Sequence, residues 1–189
     1  DPAGHRLATC GWDRTLRMWD VERGATQAVL LGHTANVTCL AFSPDGRSLA
    51  SGDATCRIKL WSGAPDNLRT VPVRGKWLWT LRFLPGGFTL LAIHGGYAHL
   101  YDARTGEEVA SFPFEQKEWS VGDVSPDGRT VALAHAARYV DLIAVQNGSR
   151  IVRRPLPEMV SVCLRWSPRG DRFAMTSGDG RLILLSAEG

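Results

Sequence analysis

The sequence has few of the features that membrane proteins, nucleic-acid-binding proteins and disulfide-bonded proteins use. No apolar run in its 189 residues approaches the roughly 18 residues that a membrane-spanning helix needs. The formal net charge of +3 is too small to indicate binding to nucleic acid or to an anionic membrane. The four cysteines form no CxxC pair and lie mostly in apolar segments, which indicates buried, reduced thiols and a cytoplasmic location.

Catalytic constellations are also missing from the sequence. His33, Ser51 and Asp53 are the residue types of a nucleophile triad, but no strained turn surrounds Ser51, and the turn positions favour hydrogen bonds between strands. Paired carboxylates and phosphate-binding glycine loops are absent as well. We therefore expect a protein that is not an enzyme and has no cofactor.

The histidines and arginines give only weak indications of a ligand site. His94 and His99 flank one turn and His135 follows one period later, without a further ligand at a recognisable metal-binding spacing. These histidines fit partner contacts better than metal binding. The basic residues in 150–154 lie on a predicted outer strand, where they indicate either a charged, solvated edge or a patch for phosphate or an acidic partner.

What the sequence does contain is a turn that recurs at a nearly constant interval. Each copy has a proline followed two residues later by glycine, and the prolines are 42, 41, 41 and 42 residues apart. The prolines are Pro2, Pro44, Pro85, Pro126 and Pro168. A second turn glycine follows the same period at positions 24, 106 and 148. Two independent turn signals at one period indicate an array of structural repeats.

Segment 32–62 shows the repeated unit most completely. The apolar run Val37–Phe42 is followed by the turn Ser43–Gly46, a second run beginning at Ser48, and the alternating run Arg57–Trp61. Short strands joined by tight turns predict an antiparallel meander. Helical periodicity is absent throughout, so the sequence predicts an all-β chain.

The period and the residues together resemble the WD-repeat β-propeller family, whose unit has about 40–45 residues and four strands. The family's signature residues are matched by Gly32, His33, Ser51 and Trp61. In the preceding unit they are matched by Thr9, Asp13, Trp19 and Asp20. The resemblance implies a hydrogen-bonded structural network made of Thr9, Asp13, Trp19, His33, Ser51 and Trp61. Thr55 stands where the family prefers Asp, so we expect this network to be weakened in the second repeat.

The resemblance also implies the architecture. We expect a WD-repeat β-propeller with about four and a half four-stranded antiparallel blades in an open arc, as a fragment of a larger propeller of about seven blades. The approximate repeats are 1–31, 32–73, 74–112, 113–154 and 155–189, with the first and last incomplete. Unpaired terminal blades predict self-association.

Two tryptophan positions leave alternatives open. Trp12, in a short turn, is either an exposed contact residue or folded over the neighbouring blade. The run Trp77–Phe83 predicts a strand with Trp77, Trp79, Leu81 and Phe83 on one face, either packed between blades or, at Trp77, exposed on the rim.

The resemblance implies a non-catalytic scaffold that presents the loops of the propeller rim to partner proteins or peptides, and neither nucleic acid nor a membrane is expected to bind. Aromatic and charged residues dominate binding hot spots. On that basis the partner-binding rim is predicted to comprise Trp12, Asn36, Lys76, Trp77, Glu118, Arg138 and Asp179. The alternative is a sensory or regulatory propeller attached to a signalling enzyme, such as a kinase, an ATPase or a peptidase, whose catalytic part lies outside this chain.

Overall fold

The regular structure of the chain consists of short β-strands. A computed structural model describes residues 1–62, 69–73, 75, 77–114, 120–135, 139–156 and 161–187. Within these ranges the chain forms 18 strands arranged in five antiparallel sheets. No helix in the same ranges could cross a membrane. The expected all-β fold of repeated antiparallel sheets is confirmed.

Strands that follow one another in sequence are neighbours in every sheet. The first sheet consists of β1 (Arg6–Cys10), β2 (Leu16–Asp20) and β3 (Ala25–Leu30). The second consists of β4 (Val37–Phe42), β5 (Ser48–Asp53), β6 (Arg57–Ser62) and β7 (Arg69–Pro72). The third consists of β8 (Thr80–Phe83), β9 (Thr89–His94), β10 (Tyr97–Asp102) and β11 (Glu108–Pro113). The fourth consists of β12 (Ser120–Val124), β13 (Thr130–His135), β14 (Tyr139–Ala144) and β15 (Arg150–Pro155). The fifth consists of β16 (Ser161–Trp166), β17 (Arg172–Ser177) and β18 (Leu182–Ser186).

The repeated proline turn has the same hydrogen bonds in two repeats. In the second sheet the Ser43 hydroxyl donates to the Asp45 carboxylate at 2.5 Å and accepts from the Ser48 N–H at 2.9 Å. The Gly46 N–H donates to the Ser43 carbonyl at 2.8 Å, and its φ of 68° favours glycine. The equivalent bonds recur in the fourth sheet, made by Ser125, Asp127, Gly128 and Thr130.

The chain divides into two compact units, each with its own apolar core. The first comprises residues 1–92 and 100–109, and the second comprises residues 93–99 and 110–189. In the first unit, fully buried side chains such as Ile58, Leu81 and Leu90 fill the space between neighbouring sheets. Phe173 and Leu164 lie in the corresponding core of the second unit. Burial of these side chains supplies the main stabilising free energy.

The third repeat differs from the sequence prediction at its start. The strand predicted over 77–83 begins only at Thr80, and Trp77 has a φ of 61°. Its N–H donates to the Ala54 carbonyl at 3.0 Å, and this bond lies outside the regular ladder of its own sheet. Trp77 therefore does not share the strand face of Leu81 and Phe83, both of which are buried.

The prediction of buried thiols is correct for two of the four cysteines. Cys39 and Cys56 are buried, and burial raises the pKa of Cys39 to about 12 and that of Cys56 to about 11. Cys10 is half-buried, and Cys163 is exposed, contrary to the expectation. Cys163 is on β16 of the three-stranded fifth sheet. All four are free thiols.

Candidate partner-binding edge and the network beside it

A buried hydrogen-bond network links the strands of the second sheet. His33 Nδ1 lies 2.8 Å from an Asp53 carboxylate oxygen, and its Nε2 lies 2.7 Å from the Ser51 hydroxyl. The Trp61 indole N–H donates to the same hydroxyl at 2.8 Å. Because a carboxylate only accepts, Nδ1 carries the imidazole proton, and the Ser51 hydroxyl donates to Nε2. In the series of hydrogen bonds that runs from Asp53 through His33 and Ser51 to Trp61, each of these polar side-chain atoms thus has a partner.

The carboxylate of this network comes from Asp53, which corrects the expectation based on Thr55. One Asp53 oxygen bonds His33, and the other accepts from the Thr55 N–H at 2.9 Å, the Thr55 hydroxyl at 2.6 Å and the Arg57 N–H at 3.1 Å. Thr55 therefore supports the carboxylate instead of weakening the network. Ser51 and Asp53 are two residues apart on β5, so strand alternation places them on one face.

The pKa values of the two titratable groups in this network fit a neutral imidazole beside a carboxylate. Burial lowers the pKa of His33, while the hydrogen bond and the charge of Asp53 oppose that shift in part. Burial would raise the pKa of Asp53, but the hydrogen bonds from Thr55, His33 and Arg57 outweigh it and hold that pKa below its usual value.

The first sheet contains a reduced version of the network. The Trp19 indole N–H donates to the Thr9 hydroxyl at 2.9 Å in an exposed position. Asp13 does not join this pair, contrary to the sequence expectation. Its carboxylate accepts from the Thr15 N–H and hydroxyl within its own turn and lies 3.5 Å from the Arg17 guanidinium.

A series of backbone hydrogen bonds connects turns of the first three sheets along one edge. The Val37 N–H donates to the Gly11 carbonyl at 3.2 Å. The Ala54 N–H donates to the Asn36 carbonyl at 2.9 Å, and the Trp77 N–H donates to the Ala54 carbonyl at 3.0 Å. We call the edge formed by residues 11–15, 34–36, 53–57 and 77–79 the tryptophan edge. It lies entirely within the first unit.

Two large aromatic side chains project from the tryptophan edge. Trp12 is 84% exposed, so the structure decides between the two alternatives in favour of an exposed residue. Trp77 is 50% exposed and stacks on Trp79, with ring centroids 5.6 Å apart and an interplanar angle of 10°. The exposed indoles offer the kind of rigid apolar surface that anchors protein interfaces.

The tryptophan edge exposes two basic side chains, Arg14 and Arg57, and one acidic side chain, Asp13, while Asp53 is buried. Arg14, at a φ of 65°, is exposed in the turn beside Trp12. Arg57 is also exposed, and its guanidinium donates to the Thr34 hydroxyl at 3.3 Å, without an ion pair among the described residues. Asn36 is half-buried between these positions in sequence order.

Of the other four predicted rim residues, three lie outside the described residues and one lies in the second unit. Lys76, Glu118 and Arg138 lie outside the described residues. Asp179 lies in the second unit, in the turn between β17 and β18. There it accepts hydrogen bonds from the Ser177 hydroxyl and the Arg181 N–H, and both lower its pKa.

Residues from the histidine and arginine clusters noted in the sequence contact other side chains of the fold. His94 and His99 stack with centroids 4.6 Å apart, whereas the side chain of His135 lies outside the described residues. Nowhere in the described ranges do three potential metal ligands gather. Arg153 makes two 2.8 Å hydrogen bonds to the buried Asp141 carboxylate and covers the Tyr139 ring. Arg153 therefore has a structural role within the fourth sheet.

Sequence reasoning assigned His33, Ser51 and Asp53 to hydrogen bonds between strands, but it expected Thr55 to weaken the network and missed the backbone connections of the tryptophan edge. The i, i+2 spacing of Ser51 and Asp53 on one strand was the signal that could have identified Asp53 as the carboxylate of the network. The backbone connections join residues 18 or more positions apart and leave no local pattern.

Known proteins share this pattern of repeats. The family model described as "WD domain, G-beta repeat" matches residues 1–20 and 24–62. Apoptotic protease-activating factor 1 of Homo sapiens is 31% identical over 134 residues, which are 66% of this chain and 11% of that protein. WD repeat-containing protein SL1-17 of Schistosoma mansoni is 27% identical, covering 79% of this chain and 50% of that protein. Actin-interacting protein 1 of Drosophila melanogaster is 25% identical, covering 97% of this chain and 31% of that protein.

The chain spans half or less of the length of each of these relatives. WD repeats generally mediate protein–protein interaction and are generally not catalytic. The matched repeats, the period of the proline turns and the network of His33, Ser51 and Trp61 agree on one assignment. The chain belongs to the WD-repeat family.

Proposed function

We propose that this chain is a non-catalytic module that binds a cytoplasmic partner protein through its tryptophan edge. The observation that carries the proposal is the exposure of Trp12 and Trp77 on one edge whose backbone is fixed by hydrogen bonds. Binding residues on a rigid frame lose little conformational entropy when a complex forms. The network of Asp53, His33 and Ser51 fixes the β5–β6 turn, which lies between the two tryptophans along that edge.

Photo-crosslinking tests the proposal directly. A benzoylphenylalanine residue is introduced at position 12 of the protein as it occurs in the cell, and at position 21 in a matched control. Val21 is 53% exposed and follows β2 at the end opposite Trp12. We expect a discrete protein adduct from position 12 that position 21 does not give. Identical adducts from both positions would argue against a specific edge.

The partner identified in this way permits a quantitative test. Removing an exposed interface tryptophan commonly costs about 2 kcal/mol, so Trp12→Ala should weaken binding by roughly 30-fold. Val21→Ala, which removes exposed apolar surface elsewhere, should leave the affinity within about twofold. Titration calorimetry measures both, and equal losses for the two variants would contradict the proposal.

A second candidate function is a regulatory module within a larger signalling protein. It is supported by the match to apoptotic protease-activating factor 1, of which this chain covers 11% and whose name describes the activation of a protease. The sequence of the whole reading frame tests this candidate. A catalytic or nucleotide-binding motif beside the repeats would support it, and WD repeats alone would support a free scaffold.

A further inference from the structure

The first unit contains a groove at the ends of β4 and β5 opposite to the tryptophan edge. It has a volume of about 610 Å³ and runs between the second and third sheets. Leu60, Trp61 and Phe83 provide apolar surface, and the Ser43, Ser48 and Thr70 hydroxyls lie along it. A volume of this size is within the range of about 300–1,000 Å³ that is usual for small ligand sites.

The second unit contains an equivalent groove of about 500 Å³. Lining residues that both grooves share belong to the repeat, whereas lining residues found in only one groove are specific to that groove. The two grooves share the serine and aspartate of the proline turn, a buried leucine, an aromatic residue and a glycine. The matching pairs are Ser43 and Ser125, Asp45 and Asp127, Leu60 and Leu142, Phe83 and Trp166, and Gly87 and Gly170. A groove at this position is therefore a product of the repeat.

The first groove is lined by two arginines, Arg69 and Arg104, whereas the second is lined by one, Arg169, at a different position. Arg69 lies on its outer strand, where Ile151 lies in the second groove. Arg104 lines it from the turn after β10. The residue at the position of Arg104 in the fifth sheet is Glu188 by sequence, which lies outside the described residues. Neither arginine therefore recurs at the equivalent sequence position of the second groove, so the repeat itself does not require them.

Phe88, which lines the first groove, has no aromatic counterpart at the equivalent position in the second unit. The Ala103 N–H donates to the Phe88 carbonyl, and the equivalent Ala187 N–H donates to the Asp171 carbonyl, both at 2.8 Å. Phe88, which is 58% exposed, is therefore replaced by an aspartate in the second unit. The Arg104 guanidinium lies 4.9 Å from the centre of the Phe88 ring, within the range of a cation–π interaction.

Among the residues that line the first groove, two are basic, Arg69 and Arg104, and one is acidic, Asp45. Arg104 pairs with Asp102 at 2.7 Å, and the Asp45 carboxylate accepts from Ser43 and from the Arg47 N–H. Arg69 makes no ion pair within the part of the chain that the structure describes. An apolar floor beside two exposed guanidinium groups matches a ligand that is apolar at one end and carries carboxylates at the other.

We propose that this groove binds a peptide segment of a partner protein in which apolar residues are followed by acidic residues. The apolar side chains contact Leu60, Trp61 and Phe83, and the carboxylates pair with Arg69 and Arg104. This site uses the strand ends opposite to the tryptophan edge and does not depend on binding there. The second groove, which Ile151 lines from the outer strand, provides a comparison within the same chain.

Fluorescence anisotropy with synthetic peptides tests the proposal. The probe is a fluorescein-labelled peptide with a leucine–phenylalanine pair followed by glutamates, and its control has glutamines in place of the glutamates. We expect the glutamate peptide to bind at least about tenfold more tightly than the glutamine peptide, and the difference to shrink as salt is raised. The absence of saturable binding up to about 1 mM would overturn the proposal.

Matched variants locate the site. Arg69→Gln with Arg104→Gln removes both charges from the first groove, and Arg169→Gln removes one from the second. We expect the double variant to bind both peptides equally and Arg169→Gln to bind them as the unaltered protein does. An unchanged preference in the double variant, or the same loss in Arg169→Gln, would overturn the assignment. Circular dichroism establishes that each variant is folded, and amide shifts of Thr70 and Phe88 in NMR spectra report occupancy without any substitution.

Discussion

Replacing Ser51 with alanine tests whether the buried network stabilises the second sheet. Ser51 is fully buried, accepts from the Trp61 indole N–H at 2.8 Å and donates to His33 Nε2 at 2.7 Å. The substitution removes two hydrogen bonds, each worth about 1 kcal/mol net, and leaves a donor and an acceptor without their partner. A buried polar group that loses its partner costs about 1–3 kcal/mol in all, with the lost hydrogen bond included. Because two groups lose their partner, we expect Ser51→Ala to lower the free energy of unfolding by about 2–6 kcal/mol.

Thr9→Ala provides the matched control in the first sheet. Thr9 accepts from the Trp19 indole N–H at 2.9 Å, but both groups can reach water there. Water can replace the lost partner, so this substitution should cost only about 0.5–1 kcal/mol. Urea unfolding followed by far-ultraviolet circular dichroism measures both variants. A cost for Ser51→Ala no larger than that for Thr9→Ala would refute the role assigned to the network.

Two further predictions concern the same sheet. Because burial lowers the folded-state pKa of His33, the unfolded chain binds more protons as the pH falls below about 6.5, so stability should decrease from pH 7 to pH 5. His33→Asn should flatten that dependence in urea titrations, and an unchanged slope would contradict it. A Cβ at Gly52 would overlap the Leu78 side chain and approach Cys39 Sγ to 3.0 Å, so Gly52→Ala should cost about 1–3 kcal/mol or more. Gly24→Ala, with open space around its Cβ and a φ of 61°, should cost only about 1 kcal/mol in thermal unfolding; a larger cost there would contradict the packing argument.

The repeat architecture could be predicted from the sequence because its signals are local. Pro44 and Gly46 define a turn within four residues, and the run Val37–Phe42 matches β4 residue for residue. The short-range hydrogen bonds of such turns depend on little beyond their own residues. The same signals at a constant period then determined the number and order of the sheets.

The functional surfaces could be predicted only in part because they depend on contacts between distant residues. A constant offset from Asp13 pointed to Thr55, but side-chain geometry on β5 determines that Asp53 contacts His33. Trp77 leaves the strand conformation because its N–H bonds Ala54, 23 residues earlier. The groove beside Phe88 combines turns from two sheets, so no single segment of the sequence indicated it.

Hydrogen–deuterium exchange of the protein with and without its cross-linked partner tests the central claim most directly. We expect new protection in the segments that form the tryptophan edge, residues 11–15, 34–36, 53–57 and 77–79. Amides at the β4–β5 turn, at the opposite ends of the same strands, should exchange as before in that complex. Protection confined to other segments, with the exchange of the tryptophan edge unchanged, would contradict it.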